Sequence, residues 1–425
     1  MSKLALHGGP PVRNRPFPPY ITIGEEEKRA VAEVLDSAVL SKFLGTWSPD
    51  FYGGPRVQKF EQEWAQYFGV KHAVSVNSAT SALIAAVGAA GIEPGDEVIV
   101  SPYTMTASAS CVLVYNAIPV FADIDPDIFC ISAETIKARI TPRTKAIIAV
   151  DILGHPAHMD GIMALASEHG LTVIEDAAQA PGSLYHDRYA GTLAHLGVFS
   201  LNYHKTIHTG EGGVIVTDDS NLAERLQLIR NHAEVVVGNM GVKNLVNMLG
   251  FNFRMTEIEA AIGSEQLKKL ERLVSRRVEA ADYLTARLEG MPGLKRPTVK
   301  SGVRHTYYLY GMRYDESELG VTRSNFVSAL KAEGIPMSEG YVEPIYLQPL
   351  YQKRIVYGSK GCPFTCNHYS GEVSYEKGLC PVAEKMYYHE MVLGNFCYDG
   401  ITDEDLDDVV DGIAKVVEHS SELRA

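Results

Sequence analysis

Two residues have the types and settings for covalent amine chemistry. Lys205 ends the segment Ser200-Leu-Asn-Tyr-His-Lys205, in a loop after an apolar strand. A lysine there can form a Schiff base with a carbonyl compound if its surroundings lower its pKa; taken singly, a solvated surface lysine is several-fold commoner. Asp176 closes the apolar run Thr172-Val-Ile-Glu-Asp176 and precedes Ala177-Ala-Gln179-Ala-Pro-Gly182. A strand-end carboxylate can serve a ligand in the crevice, or it can cap the next helix, and the two readings stand about even. Asn77-Ser-Ala-Thr-Ser-Ala-Leu joins a strand to an alanine-rich helix, so the amides of Ser78, Ala79 and Thr80 suit a phosphate. On that segment alone a plain hydroxyl N-cap is favoured. Thr209-Gly-Glu-Gly-Gly213 permits close backbone approach to a ligand, yet it has neither the dinucleotide fingerprint nor the Lys-Ser/Thr ending of a P-loop.

These segments need a scaffold that gathers strand ends. Between Val70 and Thr217, β-branched runs at His72, Glu97, Pro119, Lys145, Thr172, Val198 and Gly213 alternate with helical patterns. Such alternation predicts a mostly parallel sheet with helices on both faces and a ligand crevice at the strands' carboxyl ends. Met255 to Glu289 reads as one long connecting helix. Beyond Gly293 a strand at His305-Thr-Tyr-Tyr-Leu-Tyr alternates with helices over Thr322 to Glu333 and Thr402 to Glu418, the latter capped by Thr402. The expected domains are 1–290, large, with an N-terminal stretch able to pack on the other unit, and 291–425, small and α+β.

The chain has 425 residues, with 39 Lys and Arg against 52 Asp and Glu, a net charge of −13. That balance argues against nucleic acid or an anionic membrane as partner, since both select clustered cations. The N-terminus lacks a signal-type apolar run, and no apolar stretch approaches the ~18 residues of a membrane span, so a cytoplasmic protein is expected. Six dispersed cysteines fit reduced thiols better than a disulfide framework.

The order of the segments is more specific than any one of them. Phosphate cup, strand-end Asp176, Ser200 to Lys205, Gly210-Glu-Gly-Gly213, and then Gly250-Phe-Asn-Phe-Arg-Met255 together resemble the DegT/DnrJ/EryC1/StrS family of sugar aminotransferases. The resemblance runs from Gly8-Gly-Pro to Thr402-Asp-Glu-Asp-Leu. It implies the aspartate-aminotransferase-like α/β fold type I and pyridoxal 5'-phosphate as cofactor. Lys205 would hold the cofactor as a Schiff base and move the proton, and Asp176 would keep the pyridine nitrogen protonated. Gln179 would bond the phenolic oxygen, while Ala79, Thr80 and Ser200 would hold the phosphate. Asn252 would reach the phosphate from a neighbouring subunit, making a homodimer with shared active sites; its plain alternative is a turn-forming side chain. The implied reaction is ping-pong transfer of an amino group from glutamate or glutamine to a keto or aldehydo carbon of a sugar or cyclitol, in amino-sugar biosynthesis.

Two departures from the family pattern matter. Ser101-Pro-Tyr-Thr-Met105 replaces the usual aromatic that stacks on the cofactor, leaving Met105 or Tyr103 for that task. Some relatives carry His at the lysine position and are dehydratases, so a dehydratase or lyase is the alternative; the alignment here sets Lys205, not His204, at that position. Elsewhere, His155-Pro-Ala-His158-Met-Asp160 lacks a partner cluster for a metal, and Asp160 reads as a helix N-cap. Cys362 and Cys366, with His368, also lack a second ligand pair, so no metal site is expected. The extended segment Tyr346 to Cys380 is a candidate wall of the acceptor pocket.

Overall fold

The computed structural model describes residues 3–424. Seven strands, β1 (His72–Val76), β2 (Glu97–Val100), β3 (Ile118–Phe121), β4 (Thr144–Val150), β5 (Thr172–Asp176), β6 (Leu196–Ser200) and β7 (Gly213–Thr217), form one sheet in the order β1-β7-β6-β5-β4-β2-β3. Only β7 runs against the rest, pairing antiparallel with β1 and β6. Every residue of β2, β6 and β7 is buried, as expected for β-branched strands covered on both faces.

The principal helices are α1 (Pro55–Phe68), α2 (Ala79–Ala89), α3 (Ala107–Leu113), α4 (Glu257–Arg287), α5 (Arg323–Ala332) and α6 (Asp403–Glu418). Alanine dominates α2, which is buried on nearly every side because small side chains let it lie close to the sheet. Thr256 starts α4 with a reciprocal cap: its hydroxyl accepts the Glu259 amide while Glu259 accepts the Thr256 amide. The first half of α4 buries Leu267, Leu270 and Val274 against Phe60, Trp64 and Phe199. Its second half buries Ala280, Ala281 and Leu284, with Leu288 just past its end, in another core formed around an antiparallel sheet. That sheet comprises β8 (Leu294–Lys295), β9 (Tyr310–Tyr314), β10 (Ser338–Glu339) and β11 (Met391–Gly394) in the order β8-β9-β11-β10, with α5 and α6 packed on it. Leu4 joins this second core.

Four expectations change. The strand expected at 305–310 is irregular: Tyr307 takes φ +47°, and the Thr306 amide donates to the Gly154 carbonyl instead of to a sheet neighbour. Regular pairing resumes only at Tyr310, because this stretch crosses between the two cores. Asp160 does not cap its helix; it lies inside the first turn of Met159–His169, behind His158, and accepts from the Tyr185 hydroxyl at 3.3 Å. Cys362 and Cys366 form a disulfide across five residues, while the other four cysteines are free and buried. Finally, the segment Tyr346 to Cys380 does not line the cavity that contains Lys205. It covers the outer edge of the large sheet, where Tyr375 donates to the Pro119 carbonyl at 2.8 Å and Tyr369 donates to Glu97 at 2.9 Å. Ile345, Tyr346, Tyr351, Phe364, Tyr375 and Met386 of this segment thus join the large sheet's core. We propose the division by chain order, 1–290 and 291–425, for the two domains, with residues 345–386 reaching back over the large sheet.

Candidate active site

A cavity of about 220 Å³ opens at the carboxyl ends of the parallel strands. The end of β1 contributes Ser78, whose hydroxyl accepts the Ser81 amide at 3.1 Å and so starts α2. Ala79 and Thr80 follow in the first turn, where backbone amides have no intrahelical acceptor. This approach is possible because residue 213 is glycine: a Cβ there would lie 2.6 Å from the Ser78 carbonyl carbon and 2.7 Å from the Ala79 nitrogen. Gly210 in the same motif takes φ +91°, a conformation that other residues rarely adopt.

Asp176 ends β5 and is 4% exposed. Ser108, on α3, donates its hydroxyl to Asp176 Oδ2 at 2.8 Å, and the Ala178 amide donates to Oδ1 at 3.2 Å. Burial pushes the Asp176 carboxyl above its ordinary pKa, opposed by the Ser108 bond, the Ala178 amide and the Lys205 charge. Lys205 is 8% exposed, and its Nζ lies 4.6 Å from the centre of the Tyr308 ring. Burial pulls its amine down to about 8, against the pull of Asp176. Roughly half the amine is then neutral at that pH, a population an ordinary lysine near 10.4 does not approach.

Gln179 accepts the Leu153 amide on Oε1 at 2.8 Å, which turns its Nε2 toward the cavity, where it donates to the Tyr341 hydroxyl at 2.8 Å. Ser200, at the end of β6, and Met105 also line the cavity; Met105 is 61% exposed. Tyr103 is fully buried beneath it, edge-on to Tyr341 with centroids 5.8 Å apart, and is not part of the lining. Asn252 is exposed and lies outside this cavity. His204, beside Lys205, is exposed, and its imidazole is held below its ordinary pKa by partial burial and the Lys205 charge.

Sequence reasoning missed Ser108, Tyr308, Tyr341, Asn202 and Glu211, all in the lining. Ser108 carried a faint signal, one helical turn beyond Met105 on α3. Tyr308 and Tyr341 carried none, because they come from the far end of the chain. Among the described residues, no three His, Cys, Asp or Glu side chains gather to hold a metal, and no helix is long and apolar enough to cross a membrane.

Known proteins of the same architecture define the class. An aminotransferase structure from Psychrobacter cryohalolentis matches with a TM-score of 0.81 at 29% identity, covering 96% of this chain and all of that one. The fold is the aspartate-aminotransferase-like fold type I, and the chain is a transaminase. Residues 22–376 match the DegT/DnrJ/EryC1/StrS aminotransferase family, and the chain belongs to that family. It is 36% identical to the spore coat polysaccharide biosynthesis protein SpsC of Bacillus subtilis, over 94% of this chain and 97% of that protein. It is 34% identical to L-glutamine:2-deoxy-scyllo-inosose aminotransferase of Streptomyces fradiae, over 100% and 99% of the two chains.

Proposed function

We propose that this transaminase uses pyridoxal 5'-phosphate to move an amino group from glutamate or glutamine to a keto or aldehydo carbon of a sugar or cyclitol, in two alternating half-reactions. The observation that carries the reading is a buried amine and a buried carboxylate on one cavity: Lys205, lowered to about 8, and Asp176. The residues fit the cofactor. Asp176 suits a protonated pyridine nitrogen, Gln179 Nε2 is a donor for a phenolic oxygen, and the Ala79 and Thr80 amides with the Ser200 hydroxyl suit a phosphate. Met105, at the cavity wall, supplies a polarisable sulfur for one face of the ring. When bound, pyridoxal phosphate supplies the electron sink for a carbanion at the donor's Cα.

The chain's own residues do the remaining work. Lys205, neutral near pH 8, attacks a carbonyl and later carries the proton between carbon atoms as general base and acid. Ser108 and the Ala178 amide both donate to Asp176, so they favour its anionic form against the cost of burial. Tyr308 covers the lysine, excluding water from one side of the amine. A lysine in this buried position, with His204 exposed beside it, supports transamination over the dehydratase alternative. The relative named for a glutamine-dependent inosose reaction supports glutamine and a cyclitol as the first substrates to try.

Asn252 belongs, in this reading, to the partner's site in a homodimer. Leu44, Trp47, Val235, Leu245 and Leu249, all exposed, occupy the segments that flank it and are suited to burial against a second copy. Sedimentation should show a dimer, and a fully active monomer would contradict the shared site. The central test is the visible absorbance of the purified protein. A cofactor band that glutamate or glutamine bleaches, and that Lys205→Ala abolishes in its native form, is expected. A protein that stays colourless after addition of pyridoxal phosphate would overturn the reading.

A further inference from the structure

Behind Asp176 lies a second pair of acids that the proposed reaction does not use. Asp151 follows β4 and Glu175 precedes Asp176 on β5, and both are fully buried. Asp151 Oδ1 accepts the Ala157 amide at 2.9 Å, and Glu175 Oε2 accepts the Leu193 amide at 2.8 Å. The other oxygens, Asp151 Oδ2 and Glu175 Oε1, are buried without any donor. The two side chains are within hydrogen-bonding reach of each other. Two bare carboxylates side by side in a buried site are costly, because like charges repel there and burial strips their solvation. Among the described residues, neither acid forms an ion pair with Lys or Arg; the charged groups that face them are Asp176 and Arg188, with the Cys130 thiol also adjacent.

We propose that Asp151 and Glu175 share one proton at neutral pH and above, carried on Asp151 Oδ2 and donated to Glu175 Oε1, and that this bond positions Asp176 and Gln179. The proton belongs on Asp151 because the bond between the two acids raises Asp151 and lowers Glu175, while each acid receives one backbone amide, from Ala157 and from Leu193. Burial raises both acids, Glu175 to about 7 and Asp151 well above its ordinary value, so the pair keeps one shared proton through the neutral range. The mechanical link is direct. The Asp151 amide donates to the Asp176 carbonyl at 3.1 Å, and the turn that follows, with Leu153 at φ +57°, aims the Leu153 amide at Gln179 Oε1. Closing the acid pair therefore ties the end of β4 to the end of β5, where the two groups assigned to the pyridine ring stand. It also limits the charge beside Asp176 to one unit, which helps Asp176 remain an anion. The positioning role rests on the reading under Proposed function; the shared proton does not.

The experiment begins with cofactor-free protein. Infrared difference spectra at pH 8 between wild type and Asp151→Asn should show a neutral carboxylic-acid carbonyl band present only in wild type. An identical pair of spectra would overturn the shared proton, whether or not the protein binds pyridoxal phosphate. For the positioning role, pyridoxal phosphate affinity is measured by fluorescence for Asp151→Asn, whose amide can donate as the acid does, and for Asp151→Ala. Asp151→Asn should stay within about threefold of wild type, and Asp151→Ala should weaken binding about tenfold or more. Equal losses in both would overturn the positioning role. Should Asp151→Ala fail to fold, Glu175→Gln replaces it: the bond then runs from its amide to Asp151, and affinity should again stay near wild type. A large loss there would overturn the role as well.

Discussion

Two buried carboxylates on the same sheet are treated in opposite ways. Glu97, at the start of β2 and 1% exposed, accepts from the Thr141 hydroxyl at 2.5 Å, from Arg143 Nε at 3.2 Å and from the Tyr369 hydroxyl at 2.9 Å. Asp176, at the other end of the sheet and 4% exposed, has one hydroxyl and one amide, and shares an open cavity with a lysine it does not bond. Glu97 is saturated by its own fold, and the cost of its burial is met within the chain. Asp176 retains capacity for another donor, as a group assigned to a ligand must. Perturbed, incompletely paired charges at strand carboxyl ends mark the site, and fully paired ones mark the scaffold.

That contrast can be broken at either acid. The largest effect is expected at Asp176: Asp176→Asn should retain bound pyridoxal phosphate yet lower kcat by about 10²-fold or more, because the amide cannot neutralise a pyridinium. Steady-state kinetics check this, and unchanged turnover would remove Asp176 from its role.

The next effect is a pH dependence set by Lys205. Only the neutral amine attacks, so the rate of pyridoxal phosphate incorporation into cofactor-free protein should rise about tenfold per pH unit on the acid side and level off near the lysine's value of about 8. A rise continuing past pH 10 in stopped-flow absorbance would mean that burial does not lower the amine. The smallest effect on the site is expected at Glu97. Glu97→Ala leaves the Tyr369 and Thr141 hydroxyls unpaired and should cost about 1–3 kcal/mol of stability by denaturant titration. Its KM values should stay within about twofold of wild type, since the edge segment lies outside the cavity.

What was legible in the sequence followed short-range rules. Short β-branched runs alternating with helical patterns gave the seven strands of the large sheet, and Thr402 marked the start of α6 through its hydroxyl cap. The segments at 77–80, 176–179 and 200–205 each sit where a parallel strand ends, and 210–213 sits where antiparallel β7 begins, so their residues reach one cavity as soon as the strands are ordered. The misread stretch at 305–310 shows the limit. Its aromatic, β-branched composition favours a strand, but the backbone there bonds to Gly154 across the domain junction, a partner no local pattern reveals.

Residue types and chain order, by themselves, determined the parallel scaffold, the amine and carboxylate pair, and the family they resemble. Tertiary structure alone decided that Tyr308 and Tyr341 complete the cavity, that Ser108 steadies Asp176, and that residues 345–386 cover a sheet edge. It also set the lysine amine near 8 and left two acids, Asp151 and Glu175, face to face. The physical reason is range. Strand period, capping and helix dipoles act over a few residues and are written in sequence order, whereas desolvation and pairing depend on which distant side chains exclude water from a given atom.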